Sequence, residues 1–142
     1  MIARPHLRLR RVSAVTAAAV LVAGSAFAAA SGPESIDGVW QTAPRDNGSY
    51  VSVRIAPCPA DAEARCGTVI GTHGGARAEI LGDPILEGMR FQGDGRWGGG
   101  EIIRPGRGDR YNSKLKLTEE GLEVRGCVAG GLFCGGTLWT RR

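Results

Sequence analysis

The sequence is poor in the groups that carry out chemistry. It holds two histidines, and one of them, His6, lies among the first thirty residues. A nucleophilic serine or cysteine generally wants a base and a group that orients the base. The other histidine, His73, falls in a stretch without periodicity, and only the fold could bring it to Ser49, Ser52 or Ser113. A solvated loop histidine is therefore expected. The adjacent carboxylates Glu119 and Glu120 fall in a turn, and nothing in their spacing singles out Asp83 or Glu101. No catalytic constellation is legible, so an enzyme is not expected.

Metal-ligand spacing is missing too. The four cysteines, Cys58, Cys66, Cys127 and Cys134, show no C-x₂₋₄-C pair of the kind that builds a zinc knuckle. No metal and no cofactor is expected. Helical periodicity is absent as well: no segment carries a sustained apolar stripe at helical spacing. Long apolar runs are confined to Val12–Ala23. That run follows Arg4, Arg8, Arg10 and Arg11 and precedes Ala26-Phe27-Ala28. A basic start, a short apolar stretch and a small-x-small site describe a secretory signal peptide at 1–28, cut near residue 28 or 30. The run is too short and too rich in alanine for a permanent span, which wants about 20 apolar residues. No cysteine follows the cut, so a lipid anchor is not expected.

Excess charge disappears with that segment. The chain carries 18 basic and 14 acidic residues, a net +4. The four arginines of the signal segment account for the whole excess, and the remainder is neutral. Nucleic-acid binders leave a basic patch on the mature domain; the loose cluster Arg104, Arg107 and Arg110 stands beside Glu101 and Asp109. Nucleic acid is not expected as a partner.

What remains, 29–142, suffices for one domain. Its apolar period is two. Val51, Val53 and Ile55 alternate with Tyr50, Ser52 and Arg54; Leu115 and Leu117 alternate with Lys114 and Lys116; Leu122 and Val124 alternate with Glu123 and Arg125. Such alternation marks strands with one face in a core and one in water. Turn dipeptides fall between them: Asn47-Gly48, Asp94-Gly95, Pro105-Gly106, Glu120-Gly121 and Gly130-Gly131. The spacing predicts strands at Gly38–Thr42, Ser49–Ala56, Gly67–Thr72, Glu87–Gln92, Arg96–Arg104, Arg110–Leu117, Leu122–Val128 and Gly135–Arg141. A short helix or irregular loop is expected between His73 and Pro84. The expected fold is all-β, a small antiparallel up-and-down barrel of about eight strands, since closure removes exposed edges.

Four cysteines allow three pairings. Cys58 and Cys66 bracket one short turn-like segment, Pro59 to Arg65, and Cys127 and Cys134 bracket another, which favours two local disulfides in an exported chain. Short motif matches dissolve on inspection. Gly93-Asp94-Gly95-Arg96-Trp97-Gly98 has the spacing of a dinucleotide fingerprint but leads into a strand, not a helix. Arg107-Gly108-Asp109 lies beside the Pro105-Gly106 turn, and Asn47-Gly48-Ser49 is a glycosylation sequon that matters only in a secretory pathway that glycosylates.

The few aromatics carry more information. In a closed barrel the first and last strands are neighbours, so Trp40 and Arg141 would meet at one end and plug it through a cation–π contact. Trp40, Trp97, Tyr111 and Trp139, with Arg141, are the candidate ligand-binding residues. The alternative makes the aromatics simply the core, which the scarcity of other large side chains favours; a barrel of eight strands is either filled or holds one small ligand.

Gly38-Val39-Trp40, with an arginine shortly after Trp139, resembles the lipocalin and calycin pattern. A closer resemblance is to exported bacterial proteins catalogued as domain of unknown function 2147. It rests on Gly38-x-Trp40, Cys66-Gly67, Trp97-x-Gly99-Gly100-x-Ile102, Pro105-x-x-Gly108-x-x-Tyr111, Leu122-x-Val124-x-Gly126 and Trp139-Thr140-Arg141. The chain departs from that pattern at Ile103-Arg104, where relatives carry Tyr-Asp, and at Thr72–Ile80, which lacks an Asp- and Asn-rich stretch. The resemblance implies a lipocalin-like barrel in the bacterial envelope, periplasmic or secreted, and no set activity. The expected function is noncatalytic binding of a small, partly apolar ligand. The alternative is an envelope protein–protein interaction or inhibitor module acting through its loops.

Overall fold

The computed structural model describes residues 35–131 and 133–142. The expected signal segment and its cleavage site lie outside the described residues. Eight strands follow one another: β1 (Gly38–Gln41), β2 (Tyr50–Cys58), β3 (Asp61–His73), β4 (Pro84–Gly93), β5 (Arg96–Ile103), β6 (Arg110–Leu117), β7 (Leu122–Val128) and β8 (Phe133–Arg141). Each pairs antiparallel with the next, and β8 returns to β1, so the sheet closes as an up-and-down barrel. Helix is confined, among the described residues, to two 3₁₀ turns at Ala78–Ile80 and Ala129–Gly131.

Alternation does what the sequence leads one to expect. Val51, Val53 and Ile55 are buried while Ser52 and Arg54 between them are not, and Leu122 and Val124 repeat the pattern on β7. Each such side chain, fully buried, contributes about 1.5–3 kcal/mol of hydrophobic stabilisation. With Val69, Leu86, Met89 and Leu115 they form one packed core.

At the start of β1 the barrel end is closed by aromatic and arginine side chains. Trp40 is 1% exposed, and its indole N–H donates to the Ile36 carbonyl at 2.8 Å. Arg141 stands opposite Trp40 in the β1–β8 register, with its guanidinium carbon 4.3 Å from the indole ring. The same guanidinium donates to the carbonyls of Asp37 at 2.9 Å and Ser35 at 3.0 Å. The expected end plug is therefore present. Arg65 adds a second clasp, bonded to Asp37 at 2.5 Å and lying 5.5 Å over the Trp97 ring. The indole N–H of Trp97 is buried without a partner among the described residues.

Three segments differ from the reading of the sequence. β3 starts at Asp61, not Gly67, and β2 runs on to Cys58, so only Pro59 and Ala60 form the turn between them. The Cys58–Cys66 disulfide thus crosses a hairpin rather than bracketing a loop. The signal is faint because Ala64 is the one fully buried side chain between Asp61 and Arg65. β4 starts at Pro84, where a strand's first residue needs no donor. A register shift on the β3 side of Pro84 and Leu86 leaves Ile85 and Leu86 both buried, which breaks the alternation. His73, expected in a loop, ends β3 and stacks on Tyr50 at 4.7 Å between ring centroids. The second disulfide, Cys127–Cys134, joins opposed residues of β7 and β8.

Closure between the first and last strands is brief. β1 and β8 share only two register pairs, Trp40 with Arg141 and Gln41 with Thr140. Beyond Gln41 the chain leaves the sheet for the 42–49 loop, so the upper part of β8 is held chiefly by β7.

Candidate functional site

The connections after β1, β3, β5 and β7 all fall at the end opposite the Trp40–Arg141 plug, and the first three are the 42–49, 74–83 and 104–109 loops. Each is held by its own backbone. Arg45 N–H donates to the Ser49 carbonyl at 2.9 Å, Ala76 N–H to His73 at 3.1 Å, and Arg104 N–H to Asp109 at 2.8 Å. Asn47 folds its side chain back to accept from the Ser49 amide and hydroxyl, a local turn of the kind such residues favour. Asp83 ties two loops together by accepting from Gly106 N–H at 2.8 Å.

Between these loops the barrel is open. A cavity of about 730 Å³ runs from the rim into the upper half of the interior. Its apolar lining comes from the buried Val51, Ile85 and Trp139 and from the partly buried Ile80, Ile102 and Pro105. Val51, Ile85 and Trp139 also belong to the packed core, so the cavity floor is the upper surface of that core. Thr137, Ser49 and the 42–47 segment supply polar edges. The volume lies within the range of small-molecule pockets, about 300–1,000 Å³, and the wall is shared about evenly between apolar side chains and polar groups, the latter concentrated in the loops.

Of the five candidate residues, Trp139 alone lines this cavity. The structure places Trp40 and Arg141 in the opposite end and Trp97 in the core beside Phe91. Tyr111 lies half-buried on β6, with the Arg104 guanidinium 5.9 Å from its ring. The residues at the mouth lie in loops without a period, which sequence spacing does not group. Nothing in sequence spacing joins Arg45 to Arg77; only the topology does.

Two other arrangements fall outside the cavity. The Ser52 hydroxyl and His73 Nε2 are 2.9 Å apart on the outer wall, and among the described residues no carboxylate bonds to that imidazole. Arg110, grouped with Arg104 and Arg107 by sequence, turns outward instead and bonds Glu87 at 2.7 Å and Glu101 at 2.9 Å. The hydrogen bond to Glu87, then that to Glu101, raises its pKa above the ordinary arginine value. Among the described residues no three His, Cys, Asp or Glu side chains are grouped to hold a metal, and no helix is long and apolar enough to cross a membrane.

Comparison with known proteins agrees with this architecture. A solved structure described as "Protein HP1028 from the human pathogen Helicobacter pylori belongs to the lipocalin family" superposes with a TM-score of 0.61 at 14% identity. The match covers 76% of this chain and 83% of that one. At that identity the likeness is one of fold. No curated protein sequence matches the chain. The model of the family described as "Uncharacterized protein conserved in bacteria (DUF2147)" matches residues 38–141, from the first residue of β1 to the last of β8. The chain belongs to this bacterial family, and its fold is a closed, lipocalin-like barrel of eight antiparallel strands.

Proposed function

We propose that the chain is an exported, noncatalytic binding protein that takes one small, partly apolar ligand into the open half of its barrel. The observation that carries this reading is the cavity of about 730 Å³, floored by Trp139, Val51, Ile85 and Ile102. Barrels of eight strands are wide enough either to be filled by side chains or to hold one small ligand, as in lipocalins. Here a packed core and an open cavity share the interior, with Val51, Ile85 and Trp139 belonging to both. The cavity's apolar floor would gain about 25 cal/mol for every Å² that a ligand removes from water.

Export of residues 29–142 after loss of 1–28 belongs to the same reading. Its support is the pair of disulfides, since such bonds persist in oxidising compartments. Mass spectrometry of the envelope fraction should find a product beginning near residue 29 or 31, and an uncut chain in the cytoplasm would refute export.

Binding is tested by filling the cavity. Thr137 lines it from β8 and its side chain is exposed, so Thr137→Trp places an indole in the hollow without opening the core. A neutral naphthylamine dye that brightens in apolar surroundings should bind the native barrel and lose at least tenfold in affinity to the variant, a change worth about 1.4 kcal/mol. The urea midpoint should stay unchanged. Equal dye binding by both proteins, or none by either, would overturn the reading.

A further inference from the structure

Beside the cavity, and opening into the same mouth, lies a cleft of about 480 Å³ lined by Arg45, Arg77, Arg104, Pro105 and Arg107. The four arginines come from three different loops, separated in sequence and brought together by the barrel's order. Among the described residues no carboxylate lines this cleft. Acids do stand nearby, and their engagements matter. Asp83 accepts from Gly106 N–H, Asp109 pairs with Arg104 at 3.4 Å, and Asp46 lies on the rim of the adjoining cavity. Arg45, Arg77 and Arg107 have no carboxylate within ion-pair distance among the described residues. The Arg77 guanidinium is laid against the 104–109 loop, so close that a Cβ at Gly106 would stand 2.7 Å from its Nη2.

Arg104 is paired with Asp109, but the other three like charges lack such a partner and repel one another, and an anion relieves that repulsion. Planar guanidinium groups also match carboxylate and phosphate oxygens in pairs of parallel hydrogen bonds. The loops that carry these groups are internally bonded, so little ordering is required when a ligand arrives. Arg45, Arg77 and Pro105 line both the cleft and the apolar cavity. One molecule can therefore touch both, with its chain against Trp139 and its head among the arginines.

Building on the binding function proposed above, we infer that the ligand is a single-chain amphiphile with an anionic headgroup, a carboxylate or a phosphate, its apolar chain in the barrel and its charge in the arginine cleft. Salt should weaken the head contact and leave the chain contact largely intact, because the arginines are exposed and screened. Exposed charge pairs are individually weak, so the preference for an anion over a neutral head should be about tenfold, the sum of several small contacts.

The test compares dodecanoate, dodecyl phosphate and dodecanol as competitors for the neutral dye on the full mature chain. The two anions should displace dye about tenfold better than the alcohol. That preference should fall to twofold or less, on the order of a few tenths of a kcal/mol, in Arg45→Gln/Arg77→Gln/Arg107→Gln. It should survive in Arg54→Gln/Lys114→Gln/Arg142→Gln, which removes equal charge elsewhere. Urea midpoints confirm that each variant is folded. The tighter of the two anions identifies the headgroup source. Equal competition by all three heads, or a preference untouched by the cleft variant, overturns the inference and leaves the cavity reading standing. Failure of all three to displace bound dye overturns both.

Discussion

Gly99 and Gly100 are neighbours in β5, and alanine should affect them very differently. The strand bulges between Trp97 and Gly100, where it passes Glu87, Gly88 and Met89 of β4. A Cβ built on Gly100 would stand 2.2 Å from the Glu87 carbonyl oxygen, 2.6 Å from the Gly88 carbonyl carbon and 2.7 Å from Met89 Sδ. Two of these three are backbone atoms, which no rotamer change moves aside. The strands would have to part by about 1 Å. Overpacking costs about 1–3 kcal/mol, occasionally more, and a strained ladder hydrogen bond adds about 1 kcal/mol. Against this, losing a glycine from the unfolded chain returns about 0.4–1 kcal/mol. Gly100→Ala should therefore destabilise the barrel by about 2 kcal/mol, a melting point lower by roughly 8–16 °C at ~4–8 °C per kcal/mol. Gly99 has open space where its Cβ would sit but a φ of +73°. Alanine there meets only the left-handed backbone penalty, about 1–2 kcal/mol, partly offset by the same entropy gain, for a net loss near 1 kcal/mol. Urea unfolding followed by tryptophan fluorescence measures both. A Gly100→Ala loss below about 1 kcal/mol, or a larger loss at Gly99, would refute the close β4–β5 approach.

The end plug and the clasps can be examined in the same way. Arg141→Gln removes the cation on Trp40 and the donors to Ser35 and Asp37, and should lower stability by about 1–2 kcal/mol in urea titrations. Arg141→Lys should recover less than half, because an ammonium lacks the fork that reaches both carbonyls; full recovery would count against the fork. The disulfides span separations of 8 and 7 residues, and loop closure of that size is worth about 2.5 kcal/mol for each. Calorimetry on Cys127→Ser/Cys134→Ser should show that loss, and reduction of both bonds should remove about 5 kcal/mol of the 5–15 typical of a domain. An unchanged melting point in dithiothreitol would contradict it.

The period of two was legible because the inward side chains of β2, β6 and β7 are large and their neighbours polar. It failed at Asp61–Arg65, where the buried side chain is only an alanine, and at Ile85-Leu86, where a register shift puts two neighbours inside. Trp40 and Arg141 could be paired from the sequence because closure makes the first and last strands neighbours. The cavity could not. Its walls are the same Val, Ile and Trp that would form a filled core, and whether an interior is packed or hollow depends on volume, which spacing does not report. The arginine cleft was hidden for a different reason. Arg104, Arg107 and Arg110 are close in sequence, yet Arg110 leaves for Glu87 and Glu101 while Arg45 and Arg77 arrive from other loops.

The brevity of the β1–β8 seam has a consequence in time. Each disulfide bridges neighbours in one hairpin, and either can oxidise as soon as its own two strands have met. The circle itself closes between residues as much as 106 apart, and the entropy of bringing such distant ends together must be met before the contact rewards it. Hairpins and their bonds can thus be in place while the sheet is still an open ribbon with bare first and last edges. The interval between the seventh strand and the return of Arg141 to Trp40 is when this molecule is most exposed to pairing with a second copy of itself. A chain lacking its final strand would remain in that interval indefinitely.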